Sequence, residues 1–99
     1  DLSSNQFDSI DSKLFKDSNS LIELDYSDNR IEKLNDFTFK YLTSLQILDL
    51  SDNLIVKINE NTIAGLDNLV ELDLSDNQIC QLDASTFNSL TNLKCLNLM

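Results

Sequence analysis

The amino-acid sequence predicts a fold of the α/β class, a curved right-handed solenoid with a parallel β-sheet on its concave face and short 3₁₀ or irregular turns on its convex face. Two observations predict this fold. A fixed spacing of 24 residues runs along the chain, and such spacings are typical of stacked structural repeats. Each unit also begins with alternating apolar and polar residues, the pattern of a strand with one buried face. The spacing is shared by four asparagines and four leucines: Asn5, Asn29, Asn53 and Asn77, and Leu24, Leu48, Leu72 and Leu96.

The spacing divides the 99 residues into a single array of repeats without terminal caps. Strand-like sequence lies at both ends, and we therefore expect the chain to be an internal segment of a longer array. The one segment, 1–99, is divided into a partial repeat (1–20), three full repeats (21–44, 45–68 and 69–92) and a second partial repeat (93–99).

The first half of each repeat predicts one strand followed by a turn, which gives five strands in all. Leu48 and Leu50 alternate with the polar residues Asp49 and Ser51. This alternation places the leucines in the core and Asp49 on the open face of the sheet. Asn53 follows at the position where the chain must turn.

The second half of each repeat predicts a single helical or 3₁₀ turn. Asp and Asn are favourable N-cap residues because their side-chain oxygens accept hydrogen bonds from free backbone N–H groups. One column of such residues consists of Asp11, Asn35, Asn59 and Asp83. Each turn ends near an apolar residue, and we expect these four to stack as a second spine beneath the convex face: Phe15, Phe39, Ile63 and Phe87.

The composition argues against several classes of function. The chain has no His, one Gly and no Pro, which excludes His-based catalysis and predicts neither a zinc site nor a glycine-rich phosphate loop. Seven Lys and Arg against 17 Asp and Glu give a net charge of −10, so we expect no nucleic-acid partner and no direct membrane contact. Carboxylates on an open face lack the pocket that catalysis requires. We therefore expect that the protein is not an enzyme and that it binds neither a cofactor nor a metal ion.

The apolar and asparagine columns resemble the leucine-rich repeat family. In the third unit the residues that carry the resemblance are Leu45, Leu48, Leu50, Asn53, Ile55, Ile58, Ile63 and Leu66, with counterparts 24 residues in either direction. The 24-residue unit is similar to the animal extracellular type found in Toll-like receptors, Slit-like proteins and invertebrate secreted immune proteins. The resemblance implies that each Asn side chain bonds backbone groups of neighbouring turns and forms a ladder.

The same resemblance implies a protein-recognition module from an extracellular ectodomain of a receptor, immune or adhesion protein. Its partner would be a protein ligand or co-receptor. Two alternatives remain open. An intracellular scaffold is favoured by the absence of any N-x-S/T glycosylation motif and by unpaired cysteines. Self-association is favoured by the uncapped ends, which would expose leucines to a second copy.

The two cysteines, Cys80 and Cys95, are expected to be unpaired thiols. Cys95 lies on a predicted strand, whereas Cys80 lies beyond the asparagine turn of the preceding repeat. We expect their Cα atoms to be farther apart than the roughly 7 Å limit for a disulfide.

The candidate partner-binding site is the concave face, on which the acidic residues are concentrated and where Lys94 is the only expected cation. Carboxylates on strands about 4.8 Å apart repel one another, a cost that packing alone does not require. A basic partner surface would explain the acids, and a merely solvated face is the alternative. A calcium site is a weaker alternative, because a flat row of carboxylates lacks a loop that wraps its oxygen ligands around the ion. The candidate residues are Ile22, Glu23, Asp25, Asp28, Ile47, Asp49, Asp52, Val70, Glu71, Asp73 and Asp76.

Overall fold

The computed structural model describes residues 1–80, 82 and 85–99 and confirms the predicted solenoid with a parallel sheet. Within this part, a 3₁₀ helix over Ser12–Phe15 precedes four short strands. The strands pair in sequence order, all parallel, with Leu24, Leu48, Leu72 and Leu96 in register. Their bounds are β1 (Glu23–Asp25), β2 (Ile47–Asp49), β3 (Glu71–Asp73) and β4 (Cys95–Asn97).

The prediction of five strands was wrong, because the described sheet has four. The positions 24 residues before β1 would be −1 to 1, so only Asp1 falls within a first strand. The first partial repeat nevertheless follows the same path. The N–H of Leu2 donates to the Asp25 carbonyl oxygen at 2.7 Å, and that of Ser4 donates to the Ser27 carbonyl oxygen at 3.0 Å.

The core is a stack of apolar columns that repeat every 24 residues, best filled in the middle of the array. Leu45, Leu48 and Leu50 are each 0% exposed, and the strand burial alternates as the sequence predicted. The second spine is also present: Phe15, Phe39 and Ile63 are buried, and Phe87 is half-buried and packs against the core. The rings of Phe15 and Phe39 lie 6.4 Å apart between centroids.

The convex turns differ from the predicted helical turns. In the described residues only the first unit forms a 3₁₀ helix, capped by Asp11, whose carboxylate accepts from the Lys13 N–H at 3.0 Å. Asn59 caps its turn by accepting from the N–H of Thr62 at 3.0 Å. Asn35 instead uses its carbonyl oxygen, which accepts from the Thr38 hydroxyl. The predicted cap Asp83 lies outside the described residues.

The asparagine ladder implied by the family resemblance is present. Asn53, 4% exposed, accepts from the Ile31 N–H through Oδ1 at 3.1 Å. Its Nδ2 donates at 3.1 Å to the carbonyl oxygens of Tyr26, Leu50 and Ser51. Asn29 and Asn77 repeat the pattern one turn earlier and one turn later. These amides satisfy backbone groups that strand pairing leaves free.

The ladder has a direction. The Ile31 and Tyr26 groups bonded by Asn53 belong to the preceding turn, 22 and 27 residues earlier in the chain. Each asparagine therefore completes its own turn and the turn before it. Among the described residues, the exposed side chain of Asn5 donates to the carbonyl oxygens of Leu2 and Ser3, both in its own turn.

Gly65 lies where its convex turn approaches the backbone of Lys40 in the preceding repeat. Its φ of +96° lies in the left-handed region, and a Cβ at this position would be 2.9 Å from the Lys40 Cα atom. Both constraints require the absence of a side chain. No helix in the described part of the chain is long and apolar enough to cross a bilayer.

Candidate functional site

The concave face comprises the outward-facing residues of β1–β4 and of the turns that follow each strand. Sheet register brings the predicted site residues into columns across the strands: Asp25 pairs with Asp49 and Asp49 with Asp73. Glu23 and Glu71 are exposed on either side of the half-buried Ile47. The carboxylates predicted from the sequence therefore do share one surface.

The first acidic column, Asp25, Asp49 and Asp73, has a local structural role. In each case a carboxylate oxygen accepts two hydrogen bonds from the serine two residues later. Asp49 accepts from the Ser51 N–H at 3.0 Å and from the Ser51 hydroxyl at 2.6 Å, and the other two repeat this geometry. The hydroxyl and backbone hydrogen bonds from Ser27 lower the pKa of Asp25, because they favour its charged form.

The second acidic column, Asp28, Asp52 and Asp76, occupies an unusual backbone conformation. Their φ angles are 54°, 53° and 54°, in the left-handed region that Asp and Asn tolerate better than most residues. The three side chains are exposed. Desolvation and then the charges of Asp76 and Asp28 raise the pKa of Asp52. The repulsion expected between carboxylates of neighbouring strands therefore raises a pKa in this second column.

Neutral residues perform both structural roles at the ends of the columns. Asn97 continues the first column in β4, and its Oδ1 accepts from the Met99 N–H at 3.2 Å. Ser4 occupies the second column in the first partial repeat with φ of 55°. Neither the capping bond nor the left-handed turn therefore requires a negative charge.

The apolar residues predicted as anchors are unevenly exposed. Ile22, just before β1, is 44% exposed, whereas Ile47 and Val70 are half-buried. The N–H of Ile47 donates to the carbonyl oxygen of Ile22 at 3.1 Å, but Val70 lies across Gln46 from Ile22. The backbone of Ile22 is therefore bonded to that of Ile47, and Val70 follows one strand further along the sheet.

Both cysteines are free, as the sequence predicted, and both are exposed. Cys95 lies on β4, in register with Glu71 of β3. The Cys80 thiol lies 3.8 Å from the carbonyl oxygen of Val56, one turn back along the array. Among the described residues, no group of three or more Cys, Asp or Glu side chains is arranged to hold a metal ion.

Sequence reasoning missed a second asparagine ladder and the grooves of the return loops. Asn68 donates to the Thr43 carbonyl oxygen at 2.7 Å, and Asn92 to that of Asp67 at 3.0 Å. Their 24-residue spacing was the available signal. A groove of about 600 Å³ between two return loops is lined in part by Lys33 and Lys57. No residue of the concave face lines it.

The short parallel strands, the apolar columns and the asparagine ladder define a solenoid protein of the strand-and-turn type. The family model described as leucine rich repeat matches residues 23–79, more than half of the chain. The chain belongs to the leucine-rich repeat family. No curated sequence shows significant similarity to it.

Solved structures of larger proteins contain the same architecture. The Drosophila Toll–Spatzle complex matches with a TM-score of 0.93 and 34% identity over 98% of this chain, and its glycosylated form matches with a TM-score of 0.92. The leucine-rich repeat domain of APL1B matches with a TM-score of 0.93 over 100% of this chain; at 23% identity it supports the fold alone. This chain covers 13% of the Toll chain and 30% of the APL1B chain.

Proposed function

We propose that this chain is part of an extracellular leucine-rich repeat ectodomain, in a receptor, immune or adhesion protein, and that it recognises a protein partner with a basic surface through its concave face. The module binds its partner and catalyses no reaction. The observation that carries the proposal is the surplus charge of the two acidic columns.

The surplus follows from comparison of residues within the chain. Asn97 accepts the capping bond without a charge, and Ser4 adopts the left-handed turn without one. The left-handed turn of the second column therefore needs no charge, and an amide in the first column can accept the backbone bond, although the serine bonds favour the charged form of Asp25. Like charges on adjacent strands repel, and a basic partner would turn this repulsion into attraction. Such complementarity increases the association rate and selects against acidic partners.

The concave face has room for only part of a partner. Five turns about 4.8 Å apart and seven extended residues give a face of roughly 440 Å², which is smaller than the roughly 800 Å² per partner of a standard interface. The exposed Ile22 provides an apolar contact beside the acids. Flanking repeats of a longer ectodomain would supply the remaining contact area.

The extracellular location rests on the similarity to Toll, whose structure was solved with Spatzle bound. Spatzle is for this reason the first protein ligand to test. The proposed partner of this chain has the same general character, a protein ligand held by the repeats.

The test is the association rate of Spatzle, or of a ligand selected from secreted proteins, with two variants of equal charge. Asp49→Asn keeps the bond to Ser51 but removes a central charge from the concave face. Asp36→Asn removes the same charge from an exposed return loop. We expect Asp49→Asn alone to slow association, and to make the rate less dependent on salt.

Equal slowing by the two variants would mean that the acidic columns are only a solvated face. The recognition site would then lie on a lateral or convex surface.

An intracellular scaffold is the second candidate, favoured by the two exposed free thiols. In the reducing cytosol such thiols stay reduced, whereas an oxidising compartment favours disulfides. Thiol titration of the chain secreted from animal cells distinguishes the two candidates. Two free thiols per secreted, correctly folded monomer are compatible with the extracellular proposal, whereas aggregation through mixed disulfides favours the scaffold.

A further inference from the structure

A groove in the middle of the array separates the return loops of the second and third repeats, and we call it the return groove. Residues 32–36 line one side of it, and residues of the segment 56–62 line the other. Its volume is about 600 Å³, within the range of about 300–1,000 Å³ that ligand sites occupy. Described turns flank the groove on both sides, so it is an internal feature of the solenoid.

Backbone hydrogen bonds close the return groove at both ends and leave it open between them. At one end the Val56 N–H donates to the Glu32 carbonyl oxygen at 3.4 Å, and at the other the Phe37 N–H donates to the Asn61 carbonyl oxygen at 2.8 Å. Between these bonds no backbone hydrogen bond joins the two loops, and the N–H groups of residues 33–36 donate to no acceptor among the described residues. The loop on one side of the groove therefore has backbone donors that the fold leaves free.

Two lysines line the return groove from opposite sides. Lys33 belongs to the loop of the second repeat, and Lys57 belongs to that of the third. Ser9 takes the same position in the first repeat and lines a smaller groove of about 190 Å³, so the loop does not require a lysine there. Two like charges on adjacent turns repel one another. An anionic group held between the lysines would attract both.

An exposed apolar side chain lies at each end of the return groove. Val56 is 41% exposed and Phe37 is 47% exposed, and both lie between other turns of the array. Phe37 also has a φ of 61°, a left-handed conformation that bulky residues avoid. Neither side chain belongs to the hydrophobic core, and both are therefore available to a partner.

The charge around the return groove differs from that of the rest of the chain. Glu32 and Asp36 line the groove at its two ends, on either side of the lysines. A bound carboxylate is therefore favoured in the middle of the groove and disfavoured at its ends. The net charge of segments 30–40 and 54–64 is +1, against −10 for the whole chain. These segments contain four cations, Arg30, Lys33, Lys40 and Lys57, and three acids, Glu32, Asp36 and Glu60.

We propose that the return groove binds an extended segment of a protein partner, in which one acidic residue is flanked by apolar residues. The carboxylate of this residue lies between Lys33 and Lys57, and the apolar side chains pack on Val56 and Phe37. Carbonyl oxygens of the segment accept from the free N–H groups of residues 33–36, as in other complexes in which a peptide adds to an exposed backbone edge. Four loop residues span at most roughly 14 Å, so the bound segment contains about four or five residues.

Nuclear magnetic resonance of the isotope-labelled chain tests where such a segment binds. The probe is the peptide Ser-Val-Glu-Leu-Ser with blocked termini, and its analogue with glutamine in place of glutamate is the control. We expect the glutamate peptide to shift the amide signals of residues 33–36 and of Lys57, and to leave those of β1–β4 unchanged. The glutamine peptide should bind about twofold to fivefold more weakly, because it lacks the charge.

Substitution of the lysines tests their role. Lys33→Gln and Lys57→Gln should each weaken binding of the glutamate peptide about twofold to fivefold, the effect of losing one exposed ion pair. Both side chains are exposed, so the substitutions should leave the fold intact, and the melting temperature checks this. Lys16→Gln removes the same charge from an exposed position outside the groove. It is the matched control and should have no effect on binding.

Charge reversal should produce a gain of binding, which loss of the fold cannot mimic. The double variant Lys33→Glu, Lys57→Glu should lose the glutamate peptide and bind the lysine analogue, Ser-Val-Lys-Leu-Ser, with shifts at residues 33–36. The unmodified chain should show no shifts at these residues with the lysine analogue.

Equal binding of the glutamate and glutamine peptides would overturn the proposal. So would shifts that lie only outside the return groove, the absence of any shift at millimolar peptide, or equal weakening by Lys16→Gln and Lys33→Gln. A double variant that fails to bind the lysine analogue in the groove would also contradict it. These outcomes are independent of partner binding on the concave face, since no residue of that face lines the return groove.

Discussion

Asn53 shows how a single polar side chain can join two turns of the array. Its amide bonds four backbone groups in two adjacent turns, and these groups lie away from water. An unpaired buried backbone group costs about 1–3 kcal/mol. The stabilising effect of the amide is therefore mainly that it prevents this penalty.

We expect Asn53→Ala to lower the free energy of unfolding by about 1–3 kcal/mol. Asn5→Ala should cost less, because Asn5 is exposed and bonds only its own turn. Urea denaturation of both variants at low protein concentration measures the difference. Equal midpoints would contradict the ladder as a source of stability.

Gly65→Ala should destabilise the chain by about 1 kcal/mol or more, because the new Cβ meets the Lys40 backbone and L-residues avoid this φ. Gly65→Asn tolerates a positive φ but brings the same Cβ to 2.9 Å from the Lys40 Cα. We therefore expect both substitutions to lower the melting temperature. An unchanged melting temperature for Gly65→Asn would show that the Lys40 backbone moves aside and that the positive φ is the constraint that matters.

Individual residues were only partly predictable from the sequence. Asn53 was placed correctly because its role repeats every 24 residues. The role of Asp49 as an acceptor for Ser51, and the left-handed backbone of Asp52, could not be read from spacing, because both depend on backbone angles. The sequence placed these acids on one face but could not separate structural need from surplus charge.

At the scale of a column, the two acidic rows differ in their response to pH. The pKa of Asp25 is lowered by Ser27, so its contribution to stability is present above its unfolded value of 3.8 and is lost as the pH falls through the lower folded value. The pKa of Asp52 is raised. Its charge destabilises the fold increasingly as the pH rises from 3.8 through the higher folded value.

Asp52→Asn should therefore stabilise the chain slightly at neutral pH and have no effect well below pH 3.8, where Asp52 is neutral as well. Asparagine also tolerates the left-handed φ. Thermal unfolding of both proteins across this pH range gives the comparison. A gain in stability confined to acidic pH would contradict repulsion between the charge of Asp52 and the neighbouring carboxylates.

At the scale of the element, the number and type of repeats were predictable but the convex turns were not. The turns share their apolar residues and potential caps, yet only Ser12–Phe15 forms a 3₁₀ helix in the described residues. Short turns gain little from helical hydrogen bonds. Side-chain bonds therefore decide their conformation: Asn59 uses its side chain and Asn35 its carbonyl oxygen.

At the scale of the whole molecule, the direction of the ladder predicts a gradient of stability along the array. The N–H groups of Ile31 and Ile55 donate to the asparagine 22 residues later, whereas the N–H of Ile79 has no acceptor among the described residues. At low concentration, amide hydrogen exchange should be fastest at Ile79, since local opening begins where fewest bonds must break.

Asn77→Ala gives a matched test of this direction. It removes the acceptor of the Ile55 N–H but leaves the bond between Ile31 and Asn53 in place. Exchange should accelerate at Ile55 more than at Ile31. Equal acceleration at both would mean that the array opens as one cooperative unit.

The direction of the ladder also has a consequence for synthesis. A ribosome makes the chain from its N-terminus, and domains begin to fold as they emerge. The Ile31 N–H leaves the ribosome before Asn53, its acceptor 22 residues later. Each newly emerged turn must therefore wait for about one further repeat before its hydrogen bonds are complete, and a nascent array carries one unfinished turn at its growing end.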